Sequence, residues 1–252
     1  MGNIEFQFDD LLRELQTIMK IAAPFIRIDS EFVLPRLVDD LKSIRSAEPD
    51  RVLTWQIPEA NPLRTQTSTG SYERLPRRGR EHIFAELTSV WEIARVRTRR
   101  KEVERFSLRG KTSTKIRLRR DNKAGIFQEV AVWRVELGDS ASPGCHFHIQ
   151  VLGDRKKRPF PSSISIPRFP SIFATPMLVL DFVLGELFQD EWGKRVSADS
   201  GETKLWNSIQ SQRFLQLFDW HRKSIMSRSG SPWIAIKNEK PEANLFLAKS
   251  GK

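Results

Sequence analysis

Apolar residues recur every three or four positions near the start of the chain and every second position through its middle. Over residues 5–22, Phe8, Leu11, Leu12, Leu15, Ile18, Met19 and Ala22 keep helical spacing, and Pro24 stands just beyond them. That stripe predicts an amphipathic helix. A second helix is expected after Ser30, a residue type suited to an N-cap, with Pro35 near its first turn and Leu34, Leu37, Val38, Leu41 and Ile44 along one side. From Thr54 to Arg80 the composition shifts to Pro, Thr, Ser, Gly and Arg, which reads as a long loop or linker with too few apolar side chains for a core.

Between Ile83 and Gly153 the period shortens to two. The run Trp91–Arg99 is rich in β-branched, aromatic and Arg residues, and Val103–Arg109 and Ser113–Arg119 flank Gly110-Lys111-Thr112, which reads as a three-residue turn. Such a hairpin sets position 105 opposite 117, 107 opposite 115 and 109 opposite 113. One face then holds Glu104, Phe106, Leu108, Thr114, Ile116 and Leu118; the other is a basic plate of Arg105, Ser107, Arg109, Lys115, Arg117 and Arg119. A second hairpin joins residues 129–137 to 145–152, where Cys145, Phe147, Ile149 and Val151 alternate with His146, His148 and Gln150. Pairing 137 with 145 puts Glu136 opposite His146 and Arg134 opposite His148.

The Pro-rich stretch 158–176 reads as an extended surface crossing. Thr175-Pro176 opens an apolar helix to about Trp192, whose acidic end, Gln189-Asp190-Glu191, lies where the helix dipole disfavours negative charge. Ser200 caps a last long helix over 201–227 with Leu205, Ile209, Leu217 and Ile225 as apolar positions, and Trp233–Ile236 reads as a short strand or docking segment. The order predicts an α+β fold, an antiparallel sheet of two or more hairpins flanked by N-terminal and C-terminal helices. It divides the chain into a helical segment (1–50), a polar and basic linker (51–82) and an α+β domain (83–252).

Charge sharpens this picture. The 252 residues carry 42 Lys and Arg against 31 Asp and Glu, a formal +11, and residues 74–123 alone hold 17 basic against 6 acidic, so the whole excess is local. A balanced chain with one basic segment attracts a polyanion. Like charges across a strand pair cost stability unless something neutralises them, and arginine's planar fork suits phosphate oxygens. Arg95, Arg97, Arg99, Arg105, Arg109, Lys115, Arg117 and Arg119 are therefore the candidate nucleic-acid-binding residues. Phe106 faces away from the plate and the sole tyrosine, Tyr72, lies outside it, so the expected contact is to the backbone of DNA or RNA with low sequence specificity. An acidic protein partner fits the same charge.

A second candidate is catalytic. Two imidazoles and a carboxylate can hold a divalent metal or act as an acid–base pair, and Asp154-Arg155-Lys156 has the D-x-K form of metal-dependent nucleases. Glu136, His146, His148 and Asp154 are the candidate catalytic residues, with His146, His148 and Glu136 as candidate metal ligands. Apart from that metal no cofactor is expected, because phosphate-binding loops, dinucleotide fingerprints and serine-hydrolase elbows are absent from the sequence. A lone cysteine, Cys145, excludes an intrachain disulfide and a thiolate zinc site. No apolar run reaches 18 residues and the first residues lack a leader pattern, so a cytoplasmic chain with no membrane partner is expected.

Overall fold

The computed structural model of the chain describes residues 3–68, 82–99, 103–121, 127–138, 145–152, 168–227 and 229–247. In chain order these form β1 (Glu5–Gln7), α1 (Phe8–Ala22), α2 (Val33–Arg45), β2 (Val52–Ile57), β3 (Leu63–Arg64), β4 (Ile83–Arg95), β5 (Arg105–Asp121), β6 (Phe127–Leu137), β7 (Phe147–Leu152), β8 (Arg168–Pro170), α3 (Pro176–Val196), α4 (Gly201–Met226) and α5 (Pro232–Asn238). The strands make one antiparallel sheet in the order β2-β4-β5-β6-β7-β8, with β1 added to β5 and β3 to β4. The α+β architecture with helices at both ends is as the sequence predicts. Among the described residues no helix is long and apolar enough to cross a membrane.

Alternation decides which sheet face receives the helices. Trp55, Leu87, Trp91, Ile93, Leu108, Ile116, Val135 and Phe147 share one face and join Leu11, Leu15 and Ile18 of α1, Leu37 and Leu41 of α2, Leu180 and Leu184 of α3, and Trp206 and Leu217 of α4 in a single buried cluster. Each such side chain, fully buried, contributes about 1.5–3 kcal/mol. A buried ion pair lies within this layer. Glu14 of α1 accepts hydrogen bonds from Thr175 Oγ1 (2.6 Å) and Gln210 Nε2 (2.9 Å) and is ion-paired to buried Arg213, whose guanidinium lies 5.3 Å from the Phe6 ring centroid. The pair ties α1, α4 and the start of α3 together.

Several local expectations are overturned. Residues 52–57 and 63–64 are strands within the supposed linker, because Trp55 is fully buried against Trp91 and its Nε1 donates to the Leu37 carbonyl (3.0 Å). Residues 5–7 pair with β5 before the first helix begins. Gly110-Lys111-Thr112 is no turn: β5 runs unbroken from Arg105 to Asp121, and the β4–β5 pairing jumps there from Trp91↔Thr112 to Ile93↔Leu108. That jump is a bulge, the other use of a glycine inside a strand. An added Cβ at Gly110 would sit 1.9 Å from Glu92 Oε2, which accepts the Lys111 N–H at 3.0 Å.

The remaining corrections concern helices. Ser30 does not cap α2; its hydroxyl donates to the Pro62 carbonyl (3.3 Å). Helix α3 passes Gln189 with non-helical φ 38° and ψ −107°, so Asp190 and Glu191 open a second helical stretch, at an end where the dipole favours acids. Ser200 does cap α4 in a capping box with Thr203, yet the buried positions are Thr203, Trp206, Gln210, Arg213, Leu217 and Ser224, while Ile225 is exposed. Trp233–Ile236 belongs to α5, with Pro232 in its first turn.

Candidate polyanion-binding face of the sheet

The face turned away from the helix-packed cluster is laid out in cross-strand rows. Thr88, Lys115, Arg134, Gln150 and Arg168 pair directly from β4 to β8. The next row runs Val90, Ser113, Glu136, His148 and Pro170, and the row on the other side begins Arg64, Glu86, Arg117, Val132. With strands spaced at about 4.8 Å, the three cations Lys115, Arg134 and Arg168 lie within about 14 Å.

Lys115 directly opposite Arg134 is the like-charge cross-strand pair. The expected pairing of Arg105 with Arg117 does not exist: both lie on one continuous strand, facing β4 positions ten residues apart, a separation of about 34 Å. Face assignment nonetheless survives, because odd-numbered positions of β5 stay on one side of a bulge that adds two residues.

Carboxylates thread the cations. Glu59, at the loop after β2, meets Arg117 in a short hydrogen bond and Lys115 at 3.6 Å. Burial pushes the Glu59 carboxyl up, but Arg117 and then Lys115 more than offset this, leaving it below its ordinary value. Buried Glu86 accepts from Arg64 (3.0 Å) and Arg119 (2.9 Å), and Glu129 lies within 3.9 Å of both Arg117 and Arg119. Towards the other end of β5, Arg105 pairs with Glu5 (3.0 Å) and Arg109 reaches Asp50 (3.5 Å). Arg95 contacts Glu104 (3.5 Å), and Arg97 and Arg99 are exposed beyond the end of β4.

The eight basic candidates thus separate. Lys115, Arg117 and Arg119 stand at the centre of the polar face, with Arg105 and Arg109 displaced along β5. Sequence reasoning missed Arg64 and Arg168, the first because its strand was read as linker, the second because β8 lies in the Pro-rich stretch. Arg134 was placed beside the histidines rather than in the basic row. An aromatic pair was missed as well: buried Phe84 meets partly exposed Phe127 edge to face at 5.1 Å, and Arg119 is paired directly with Phe84.

His148 and Glu136 do come together, through a register two residues from the expected one: Glu136 is opposite His148, and Arg134 is opposite Gln150. His146 precedes the strand. The Cys145 carbonyl, 2.9 Å from His148 Nδ1, can only accept, so Nδ1 carries a proton. Nε2 faces Glu136 Oε2 (3.2 Å) and Gln150 Nε2 (3.2 Å), and Gln150 Nε2 also donates to Glu136 Oε2 (2.9 Å). Burial pushes the Glu136 carboxyl up, but hydrogen bonds from His148 and Arg134 hold it below the usual carboxylate range. His148 is only 2% exposed. Among the described residues no three His, Cys, Asp or Glu side chains are grouped as a metal site. Asp154 lies outside the described residues. Cys145 is buried, and burial pushes its thiol up, away from thiolate reactivity.

Compared with known protein families, with curated proteins and with solved structures, the chain matches none.

Proposed function

We propose that the chain holds the phosphate backbone of a nucleic acid against the polar face of its sheet. The observation that carries this reading is the row Lys115–Arg134–Gln150–Arg168, in which a lysine and an arginine stand directly opposite one another across a strand pair. Such a pair costs stability unless an anion lies between its members. In the free chain each member has its own carboxylate: Lys115 shares Glu59, exposed on its loop, with Arg117, and Arg134 holds Glu136 at 3.0 Å. A phosphate oxygen carries the same charge and hydrogen-bonding capacity, so a bound backbone would exchange with Glu59. Phe127 adds an exposed ring beside the row of arginines, suited to one stacked base.

The test is fluorescence anisotropy with labelled single- and double-stranded DNA and RNA over a salt series, for the wild type and a variant with Lys115, Arg134 and Arg168 all changed to Ser. The expected result is salt-steep binding by the wild type, and in the variant a duplex salt slope smaller by about 3, near 0.9 for each phosphate contact removed. Wild type that binds none of the four at moderate salt would overturn the reading and turn attention to an acidic protein partner.

The contact between His148 and Glu136 favours a second reading, a phosphodiester hydrolase in which the two act as an acid–base pair with a divalent metal bound nearby. It requires cleavage that EDTA and His148→Ala both abolish. Backbone binding alone is indifferent to EDTA.

A further inference from the structure

Glu59, Glu86, Glu129 and Glu136 stand among the cations of the polar face, but they are not held alike. Glu86, Glu129 and Glu136 project from strands, and their side chains are 8%, 19% and 20% exposed. Glu59 projects from a loop and is 59% exposed.

An interruption in the sheet creates that loop. β2 ends with Ile57 opposite Ser89 and β3 begins with Leu63 opposite Leu87, so residues 58–62 leave the sheet across from a single β4 position, Thr88. Thr88 in turn pairs with Lys115. The chain therefore departs beside the cation that its acidic residue meets. Both feet of the loop are fixed: Ile57 and Pro62 are buried, the Ile57 N–H donates to Ser89 Oγ (3.3 Å), and the Pro62 carbonyl accepts from Ser30 Oγ (3.3 Å). Between them Glu59, Ala60 and Asn61 are exposed, and the Asn61 N–H donates to the Pro58 carbonyl (3.1 Å). From this tip Glu59 bridges Lys115 and Arg117, whose own side chains are 14% and 16% exposed. An ion pair with so exposed an acid contributes little to stability, and neither foot of the loop depends on it. Glu59 can swing away with the fold intact, whereas Glu86, on a strand between Arg64 and Arg119, has no loop to carry it off.

We propose that the 58–62 loop is a latch over the phosphate site, in which the Glu59 carboxylate takes the place of a phosphate and a nucleic-acid backbone has to displace it to reach Lys115 and Arg117. This inference rests on the reading of the polar face as a phosphate site and names the group that regulates it. Affinity is lowered by the fraction of molecules in which the latch is closed, so removing the carboxylate raises affinity without adding a contact. Loss of one negative charge anywhere also favours a polyanion slightly, and an equally exposed carboxylate supplies that control. Asp50 is likewise 59% exposed and meets Arg109 at 3.5 Å, further along β5. Its φ of 66° is one that asparagine adopts readily.

The experiment measures fluorescence anisotropy of labelled single- and double-stranded DNA and RNA at one moderate salt concentration. The proteins are wild type, Glu59→Gln, Asp50→Asn, and a chain with Lys115 and Arg117 both changed to Ser, with and without Glu59→Gln. The expected result is binding about three- to tenfold tighter in Glu59→Gln, the scale of two exposed ion pairs, against a change below about twofold in Asp50→Asn. The gain should vanish where Lys115 and Arg117 are already Ser, because the latch then has nothing to cover. A gain in affinity cannot arise from a variant that fails to fold, and the Asp50 comparison does not depend on the doubly substituted background. If wild type binds and Glu59→Gln binds no tighter, if Asp50→Asn gains as much, or if the gain persists without the two cations, the latch is overturned and the phosphate site stands. Wild type that binds none of the four overturns the phosphate site and the latch together.

Discussion

The two faces of this sheet are made by the same strands and held by different physics. On the face beneath the helices, Trp55, Trp91 and Phe147 are removed from water by apolar neighbours, and a carboxylate there needs partners such as Glu14 finds in Arg213, Thr175 and Gln210. Asp181 of α3, at the edge of that layer, is pushed above its ordinary value by burial despite hydrogen bonds from Trp192 (2.7 Å) and Trp206 (3.2 Å). On the opposite face Glu136 is partly buried and Glu59 is exposed on its loop, and both lie below their ordinary values because cations and hydrogen-bond donors surround them. Burial therefore has one sign in both places and the neighbours decide the outcome. An apolar layer sets the fold, while on the other face carboxylates and cations hold one another in place.

The sharpest way to break the comparison is to empty the apolar layer. Trp91 is fully buried and touches Phe6 and Trp55 with ring centroids 5.7 and 5.8 Å away. Trp91→Ala should cost about 3–5 kcal/mol in urea unfolding, since the cavity would open among the buried rings of Phe6 and Trp55, where little can collapse into it. A loss below about 1 kcal/mol would mean that the helix layer is not what stabilises the sheet.

A smaller effect separates the two carboxyl environments by pH. Glu136, lowered in the folded state, contributes stability that is present above its unfolded value and is lost as pH falls through its folded one. Asp181 is raised, so folding favours its protonated form, and stability is regained as pH falls through its folded value toward the unfolded one. Urea unfolding across the acid range should therefore show Glu136→Gln flattening the acid loss of stability and Asp181→Asn steepening it. If both variants shift the profile in the same direction, the contrast between the faces is wrong.

What could be read in advance follows the same division. Helix α1 and the β6–β7 hairpin were legible because their apolar residues keep one period, and α3 because Thr175-Pro176 marks the start of an apolar run. Helix α4 was located by Ser200, but its buried stripe was not, since Thr203, Gln210, Arg213 and Ser224 are polar residues buried through partners distant in sequence. Strand β2 was hidden by the Pro, Thr and Arg residues that follow it, and only Trp55 signalled burial. On the charged face the parity of β5 assigned Lys115, Arg117 and Arg119 to one side. The partners Glu59, Glu86, Arg64 and Arg168 arrive from strands and loops whose register no local pattern specifies.

The bulge at Gly110 is where that reading failed, and it offers the finest test. Glycine, Lys111 and Thr112 look like a turn because glycine frees the backbone, but here the missing Cβ makes room for the Glu92 carboxylate. Gly110→Ala would place its methyl 1.9 Å from Glu92 Oε2, the far end of a half-exposed side chain. That carboxylate can swing aside at the expense of its bond from the Lys111 N–H, while alanine lowers the entropy of the unfolded chain. The two effects oppose, each about 0.5–1.5 kcal/mol, so the net change in urea unfolding should stay within about 1 kcal/mol. The amide of Lys111 should exchange faster in the variant, and that local loss is the readout which a global measurement would miss. A cost above about 2 kcal/mol would instead mean that Glu92 is held rigidly and that the bulge, rather than the apolar layer alone, fixes the register between β4 and β5.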